Sequence, residues 1–154
     1  MTKEADVCAM QVKVHISGES ESATKMNLRA GKFKMIIDEP ANMGGTDEGP
    51  SPVQMLLTAL AGCLNVTGFH VAKERGLNLE KMKISIEGDM NPCTFMGCSF
   101  EERAGFQDII VKIKPTFKDA VEESVIEDWV KETEARCPVT DNIKDGTKIL
   151  VENI

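Results

Sequence analysis

Cysteine is the residue type through which this chain could do chemistry. Cys8, Cys63, Cys93, Cys98 and Cys137 stand beside only two histidines, His15 and His70. A thiolate attacks peroxides and disulfides and binds soft metals, whereas a buried thiol packs like a small apolar side chain. Cys63 falls in the middle of a long apolar segment with helical periodicity. It lies some three turns from the segment's start, so its own helix dipole, which fades within the first turn, does not activate it. An activated Cys63 therefore requires a cation or another helix end supplied from elsewhere. His70, seven residues on, is roughly 10 Å away along the helix axis, too far for a hydrogen bond. His15 sits on the polar face of an alternating segment, so local spacing supports no Cys–His nucleophile pair. Cys137 follows Arg136 and precedes Pro138 at the end of a second helical segment. It reads either as a helix-ending cysteine or as a thiol that resolves an oxidised Cys63.

Cys93 and Cys98, in Cys93-Thr94-Phe95-Met96-Gly97-Cys98, have no histidine nearby. Zinc sites use four ligands in tighter pairs, so no metal site is expected. A redox pair or a loop disulfide is the alternative to two ordinary loop cysteines. Cys8 falls on the apolar face of the first alternating segment and reads as core. The glycine run Gly44-Gly45-Thr46-Asp47-Glu48-Gly49 precedes a helix but lacks the lysine of a phosphate loop. Its two carboxylates oppose an anion, and no cofactor is expected.

The elements that must position these residues follow from patterning. Cys8, Met10, Val12, Val14 and Ile16 alternate with Gln11, Lys13 and His15, which predicts a half-buried strand broken by Ser17-Gly18-Glu19-Ser20. Thr24 to Leu28 and a run with Phe33, Met35 and Ile37 on one face complete a meander around Ala30-Gly31. A Gly/Pro-rich loop spans residues 39–51. Ser51-Pro52-Val53-Gln54 then supplies an N-cap, a first-turn proline and a third-position glutamine, the pattern of a capping box. The helix runs to about Arg75, with Gly76 as its stop. Leu56, Leu60, Cys63, Thr67 and Val71 form its stripe, flanked by Leu57 and Leu64, and Ala59, Ala61 and Gly62 leave room for a neighbouring helix. A fourth strand is predicted over 79–90 and a fifth around Ile109, Val111 and Ile113, ending near Pro115. A second helix is predicted from a capping box of Asp119 and Glu122, burying Val121, Val125, Trp129 and Thr133 and ending at Cys137-Pro138. Ile149 and Val151 suggest a last short strand. The order βββ-α-ββ-α-β gives an α+β class in a single domain over 1–154.

Length and composition agree with one soluble domain. Hydrophobic residues make up 42% and charged residues 28% of the chain, and the net charge is -7. An acidic chain with no basic block and no tyrosine is not expected to bind nucleic acid. No unbroken run of 18 apolar residues is present, so no membrane span is expected. The first residues lack the pattern of a signal peptide, which leaves a cytoplasmic location as the expectation. There, five cysteines do not imply a disulfide framework.

Asp38-Glu39-Pro40, Gly44-Gly45-Thr46-Asp47 and Gly49-Pro50-Ser51-Pro52-Val53-Gln54-Met55-Leu56-Leu57-Thr58-Ala59-Leu60-Ala61-Gly62-Cys63, followed by Cys137-Pro138-Val139, resemble the OsmC/Ohr family of osmotically inducible and organic-hydroperoxide-resistance proteins. The resemblance covers roughly residues 7–152 and is greatest to the OsmC-like branch with Gly-Pro-x-Pro at the helix start. It implies an intertwined homodimer, with strands of two subunits wrapped around two central helices. It also implies a thiol-dependent peroxidase for organic hydroperoxides or hydrogen peroxide, recycled by a dithiol reductant. Cys63 is then the peroxidatic cysteine and Cys137 the resolving one. The family also uses an arginine and a glutamate from the N-terminal half beside the reactive thiol. Arg29 is the only arginine before Cys63. Glu48 and Gln54 are the candidates for the glutamate's place, and Gln54 carries no charge. A dimeric small-molecule-binding or redox-sensing protein with little peroxidase activity is the second reading.

Overall fold

The computed structural model describes residues 11–153. The chain forms two compact units, one ending at Met55 and one beginning at Leu56. The first holds an antiparallel meander of β1 (Ile16–Ser20), β2 (Met26–Ala30) and β3 (Phe33–Ile37) in the order β1-β2-β3. The segment expected to break the first strand is thus itself the strand. Residues 11–15 form no strand and are exposed, and Cys8 and Met10 lie outside the described residues. The turn before β2 sets this register. Glu21 and Ser22 donate their N–H groups to the Lys25 carbonyl, and Ser22 Oγ accepts from the Lys25 N–H at 3.0 Å. Ser20 therefore pairs with Met26 and Ile16 with Ala30. Every residue of β1 is exposed, so no apolar alternation marks it.

The loop after β3 is built on Asp38, which is fully buried. Its carboxylate accepts the Thr46 hydroxyl at 2.6 Å and the N–H groups of Glu39, Thr46 and Glu48 at 2.8, 3.0 and 3.3 Å. Gly45 passes so close to Glu39 that a Cβ would overlap the Glu39 carbonyl. The loop ends at a capping box of the kind the sequence predicts. Ser51 N–H donates to Gln54 Oε1 at 2.9 Å, and Gln54 N–H to Ser51 Oγ at 3.4 Å.

Helix α1 (Pro52–Glu74) continues into the second unit. It stops at Gly76, with φ 69°, where Leu77 N–H bonds the Ala72 carbonyl and Gly76 N–H the Lys73 carbonyl. This left-handed glycine end satisfies two carbonyls and turns Leu77 back onto Ala72 and its neighbours. Strands β4 (Leu79–Met90) and β5 (Phe106–Phe117) form a two-stranded antiparallel sheet with Ile84 opposite Ile113. Pro115 lies inside β5, which is tolerated because each strand of a pair has a free edge. Between the strands a short helix, α2 (Cys93–Met96), occupies what reads as irregular chain.

Helix α3 (Glu123–Ala135) starts later than the predicted box. Glu122 is its N-cap through its backbone only, and Asp119 instead accepts a 2.6 Å hydrogen bond from Asn78. A further helix, α4 (Pro138–Lys144), follows at once. The predicted last strand does not form. Ile149 and Val151 are unpaired and exposed in the described chain. The α+β class stands, with βββ-α-ββ-α as its shared order, helix α4 added after it and no final strand in the described chain.

One face of the β4–β5 sheet carries two clusters. Leu60, Leu64 and Cys137 pack with Ile84, Ile86, Ile109 and Val111. Val71, Ala72 and Trp129 pack with Met82, Ile113 and Phe117. The opposite face shows Lys83, Ser85, Glu87, Lys112 and Lys114 to solvent, as period two requires. The buried stripe of α1 is Leu60, Leu64, Gly68, Val71 and Ala72, a little rotated from the predicted one. Leu56 is exposed, Cys63 and Thr67 are half-buried, and Gly62 meets open space rather than a packed helix. By length and composition α1 could cross a membrane although it lacks an unbroken apolar run, so that sequence argument does not by itself exclude a span.

Candidate functional site

Cys63 and Cys137 meet. Cys63 packs against the cluster of Leu60, Leu64 and Cys137, and the two thiols are near enough to shift each other's ionisation. Cys63 is half-buried and faces the start of α4. Cys137 is 1% exposed and lies between α3 and α4 as the N-cap of the latter. Its extended conformation (φ -81°, ψ 112°) and Pro138 in the first turn explain this placement. Proline ends the helix behind it and starts the one ahead.

The two sulfurs differ in charge preference. Burial pushes the Cys63 thiol up, the Val139 N–H opposes that, and the adjacent Cys137 raises it further. Burial also acts against a Cys137 thiolate. There, however, the Thr140 hydroxyl and N–H, the Cys63 thiol and the Val139 N–H together outweigh it, and the Cys137 thiol falls below its ordinary value. Negative charge in the pair thus rests first on the buried sulfur, at the amino end of α4. None of the groups acting most strongly on Cys63 is a cation.

Arg136, adjacent to Cys137 in sequence, is committed elsewhere. Its guanidinium bonds Glu74 closely and Glu132 at 2.9 Å, and Arg75 bonds Glu132 at 2.7 Å. These ion pairs clamp the end of α1 to the end of α3, and with it the backbone leading into Cys137. His70 pairs with Glu74 at 3.0 Å.

A cavity of about 430 Å³ is lined by Leu60, Leu64, Ile109, Val111, Ile113, Val130, Ile143 and Thr140, with Glu134 and Lys144 as its charged members; it shares Leu60 and Leu64 with the thiol cluster, and neither cysteine lines it. Its walls are mainly aliphatic, the lining expected for a small-molecule site.

The other candidate residues belong to the first unit. Arg29 on β2 pairs in register with Ser17 and Lys34, and it lines one groove together with Glu48. Glu48 is not a free loop carboxylate. Its Oε2 accepts from Lys25 Nζ at 2.7 Å, and Lys25 also binds Glu21 at 2.8 Å. These two carboxylates hold the Lys25 ammonium well above the usual lysine range. Gln54 uses its side-chain oxygen in the capping box.

Sequence reasoning missed Lys25 and Thr140, and it named Thr67 and Val139 without giving either a part in the site. Thr67 is one helical turn beyond Cys63, a spacing legible in the sequence. Pro138 signals a helix start as well as an end, which would have put Val139 and Thr140 in the first turn beside Cys137. Nothing local marks Lys25, whose partner Glu48 is distant in sequence.

The family model described as OsmC-like protein matches residues 45–152, well over half of the chain. The chain belongs to the OsmC-like family. Solved OsmC-like structures share its fold at low sequence identity. The OsmC like protein from Mycoplasma pneumoniae is 19% identical, with a TM-score of 0.74, covering 88% of this chain and 89% of that one. An organic hydroperoxide resistance protein OsmC from Legionella pneumophila is 18% identical, with a TM-score of 0.64 and coverage of 89% and 93%. The organic hydroperoxide resistance protein OhrB of Bacillus subtilis is 18% identical, with a TM-score of 0.58 and coverage of 86% and 91%. No curated protein matches the chain. Within this OsmC-like fold, Asp38 lies just ahead of the matched region, and its partners Thr46 and Glu48, the capping box and both thiols fall inside it.

The Asp38 loop supports a prediction. The Thr46 hydroxyl, working against burial and joined by the Glu48, Glu39 and Thr46 N–H groups, holds the Asp38 carboxyl well below the usual carboxylate range. A depressed folded value contributes stability above the unfolded value, about 3.9, and that contribution is lost as pH falls through the folded one. Asp38→Asn is expected to lower the melting temperature by several degrees at pH 7. It should also weaken the dependence of melting temperature on pH below about 4, as differential scanning fluorimetry across pH would show.

Proposed function

We propose that the chain is a thiol-dependent peroxidase that reduces organic hydroperoxides, as the resemblance to proteins named for organic hydroperoxide resistance suggests. The observation that carries this reading is the contact between Cys63 and Cys137, packed on the same Leu60 and Leu64 that line an aliphatic cavity. The half-buried Cys63, as thiolate, attacks the terminal peroxide oxygen. The O–O bond breaks, the alcohol leaves with a proton, and Cys63 becomes a sulfenic acid. The Cys137 thiolate then attacks the Cys63 sulfur, water leaves with a second proton, and a disulfide forms. A dithiol reductant, oxidised in turn, restores both thiols. The aliphatic cavity favours an alkyl hydroperoxide over hydrogen peroxide.

We assign activation of Cys63 to Arg29, brought to it by dimerisation, with Glu48 lining the same groove as Arg29 and Gln54 fixing the helix start. The exposed stripe Leu56, Ala59, Gly62 and Val66 on α1 supports a homodimer, since it leaves Leu56 41% and Val66 69% exposed on the side of the helix away from its buried stripe. Leu56→Glu with Val66→Glu is expected to convert a dimer to a monomer in size-exclusion chromatography with light scattering, with helix content retained. The working protein is placed in the cytoplasm as a single OsmC-like domain with an antioxidant, stress-response role.

Consumption of cumene hydroperoxide with dithiothreitol or dihydrolipoamide, set against hydrogen peroxide, tests the reading. Faster turnover of the organic substrate is expected, and no consumption of either would overturn it. The second reading, a dimeric small-molecule-binding or redox-sensing protein, draws on one observation. Burial, the largest influence on Cys63, pushes its thiol up, and no cation is among the groups acting on it within one chain.

A further inference from the structure

Cys93 and Cys98 form a second thiol pair, outside the site described above. Helix α2 ends at Gly97, in the left-handed conformation with φ 74°. Cys98 N–H bonds the Cys93 carbonyl at 3.0 Å, and Gly97 N–H bonds the Thr94 carbonyl at 3.2 Å. This is the same pair of bonds that ends α1 at Gly76. In such an end, the residue after the glycine and the residue five before it bring their side chains together. At the end of α1 those residues are Leu77 and Ala72, and the contact is apolar packing. At the end of α2 both residues are cysteines. The Cys98 Sγ donates to the Cys93 carbonyl at 3.3 Å, which sets the two cysteines side by side. The surroundings hold this turn in place. Cys93 N–H bonds Asn91 Oδ1 at 3.0 Å, Thr94 Oγ1 bonds the Glu102 carbonyl at 2.7 Å, and Asn91 Nδ2 bonds the Glu102 carboxylate.

We propose that Cys93 and Cys98 are a second redox site, an exposed dithiol that closes to a disulfide by exchange with small disulfides, independently of Cys63 and Cys137. The two cysteines have different parts. Cys98 is exposed and Cys93 half-buried. Contact with Cys98, burial and the Glu102 charge all push the Cys93 thiol up, which leaves Cys98 as the attacking thiol. The Cys98 thiolate attacks one sulfur of a disulfide such as glutathione disulfide and expels a thiolate, forming a mixed disulfide. Cys93, giving up its proton to solvent, then attacks the Cys98 sulfur and expels the second thiolate. One external disulfide is reduced to two thiols and one protein dithiol is oxidised.

The sequence makes the test clean. Cleavage by trypsin after Lys83 and Arg103 releases a peptide, residues 84–103, whose only cysteines are these two. The full chain is incubated with glutathione disulfide, alkylated, digested and weighed by mass spectrometry. The expected peptide carries no alkyl group and is lighter than the reduced form by two hydrogens, both in the native chain and in the chain with Cys63→Ser and Cys137→Ser. Cys93→Ser should trap glutathione on Cys98. Gly97→Ala, which puts a side chain at a left-handed position, should slow closure about tenfold. A peptide that keeps two alkylatable thiols, carries two glutathiones, or closes only when Cys63 is present would overturn the proposal.

Discussion

Replacing Cys63 by serine should abolish hydroperoxide turnover, by at least about a thousandfold, because no other group in the thiol pair can reach the substrate. Cys137 is 1% exposed and cannot substitute for it from behind the packed Leu60 and Leu64 side chains. Cys137→Ser should behave differently. It should consume about one peroxide per Cys63 in a single turnover and leave a sulfenic acid that dimedone captures, while steady-state turnover with a dithiol collapses. In the native chain the same treatment should give a Cys63–Cys137 disulfide and little dimedone adduct, because the resolving sulfur is already in contact. The charge preference of the pair adds a pH signature. Within one chain the Cys63 thiol is raised, so if Arg29 activates it in the dimer, the single-turnover rate should level off near neutrality in the native protein and climb above the ordinary thiol range in Arg29→Ala. A reversed pattern, with the burst surviving in Cys63→Ser and lost in Cys137→Ser, would exchange the two roles. Ligand binding without any burst in the native chain would favour the binding or sensing reading.

Trp129→Ala should cost about 3–5 kcal/mol of folding stability, measured by urea denaturation of the folded protein. Trp129 is fully buried, meets Phe117 edge-on at 5.7 Å and donates its Nε1 proton to the Gly68 carbonyl at 2.9 Å. It therefore joins α3 to both the sheet and α1. Truncation removes that hydrogen bond and leaves a cavity between three elements, which cannot all close at once. Gly68→Ala probes the same contact from the other side. An added Cβ would lie 2.9 Å from Met82 Cε and 3.0 Å from Trp129 Cζ2. Overpacking there should cost about 1–3 kcal/mol, less than the tryptophan truncation because the Met82 end can move. A loss below about 1 kcal/mol for Trp129→Ala, small for a buried aromatic truncation, would mean that α3 contributes little to the second unit's core.

Both results depend on contacts that the sequence discloses unequally. Strand β4, the start and stop of α1 and the Trp129 face of α3 were legible because their causes are local. Alternating side chains, a Ser/Gln capping box around Pro52 and a left-handed Gly76 each act within a few residues. Strand β1 was not legible, since its position follows from pairing with β2 across the Ser22 turn and none of its side chains is buried to mark it. Helix α4 was hidden for a different reason: Pro138 both ends one helix and begins the next, and only the first role was read. The alternation at Ile149 and Val151 suggested a strand, but a strand exists only by pairing, and these residues pair with no other in the described chain.

For the site, the residue types and the family resemblance singled out Cys63 and Cys137 from the sequence. Their contact depends on α1 and the α3–α4 junction packing on one face of the β4–β5 sheet. Only that packing sets how buried each sulfur is and which N–H groups it meets, so the charge preference of the pair belongs to the tertiary structure. The same holds for Arg136, drawn away by Glu74 and Glu132, and for Glu48, held by Lys25. Sequence determined the local elements and the chemical repertoire of this chain, because these rest on neighbours a few residues apart. Partnership between groups dozens of residues apart was decided by the fold, because burial and charge pairing act through space and not along the chain.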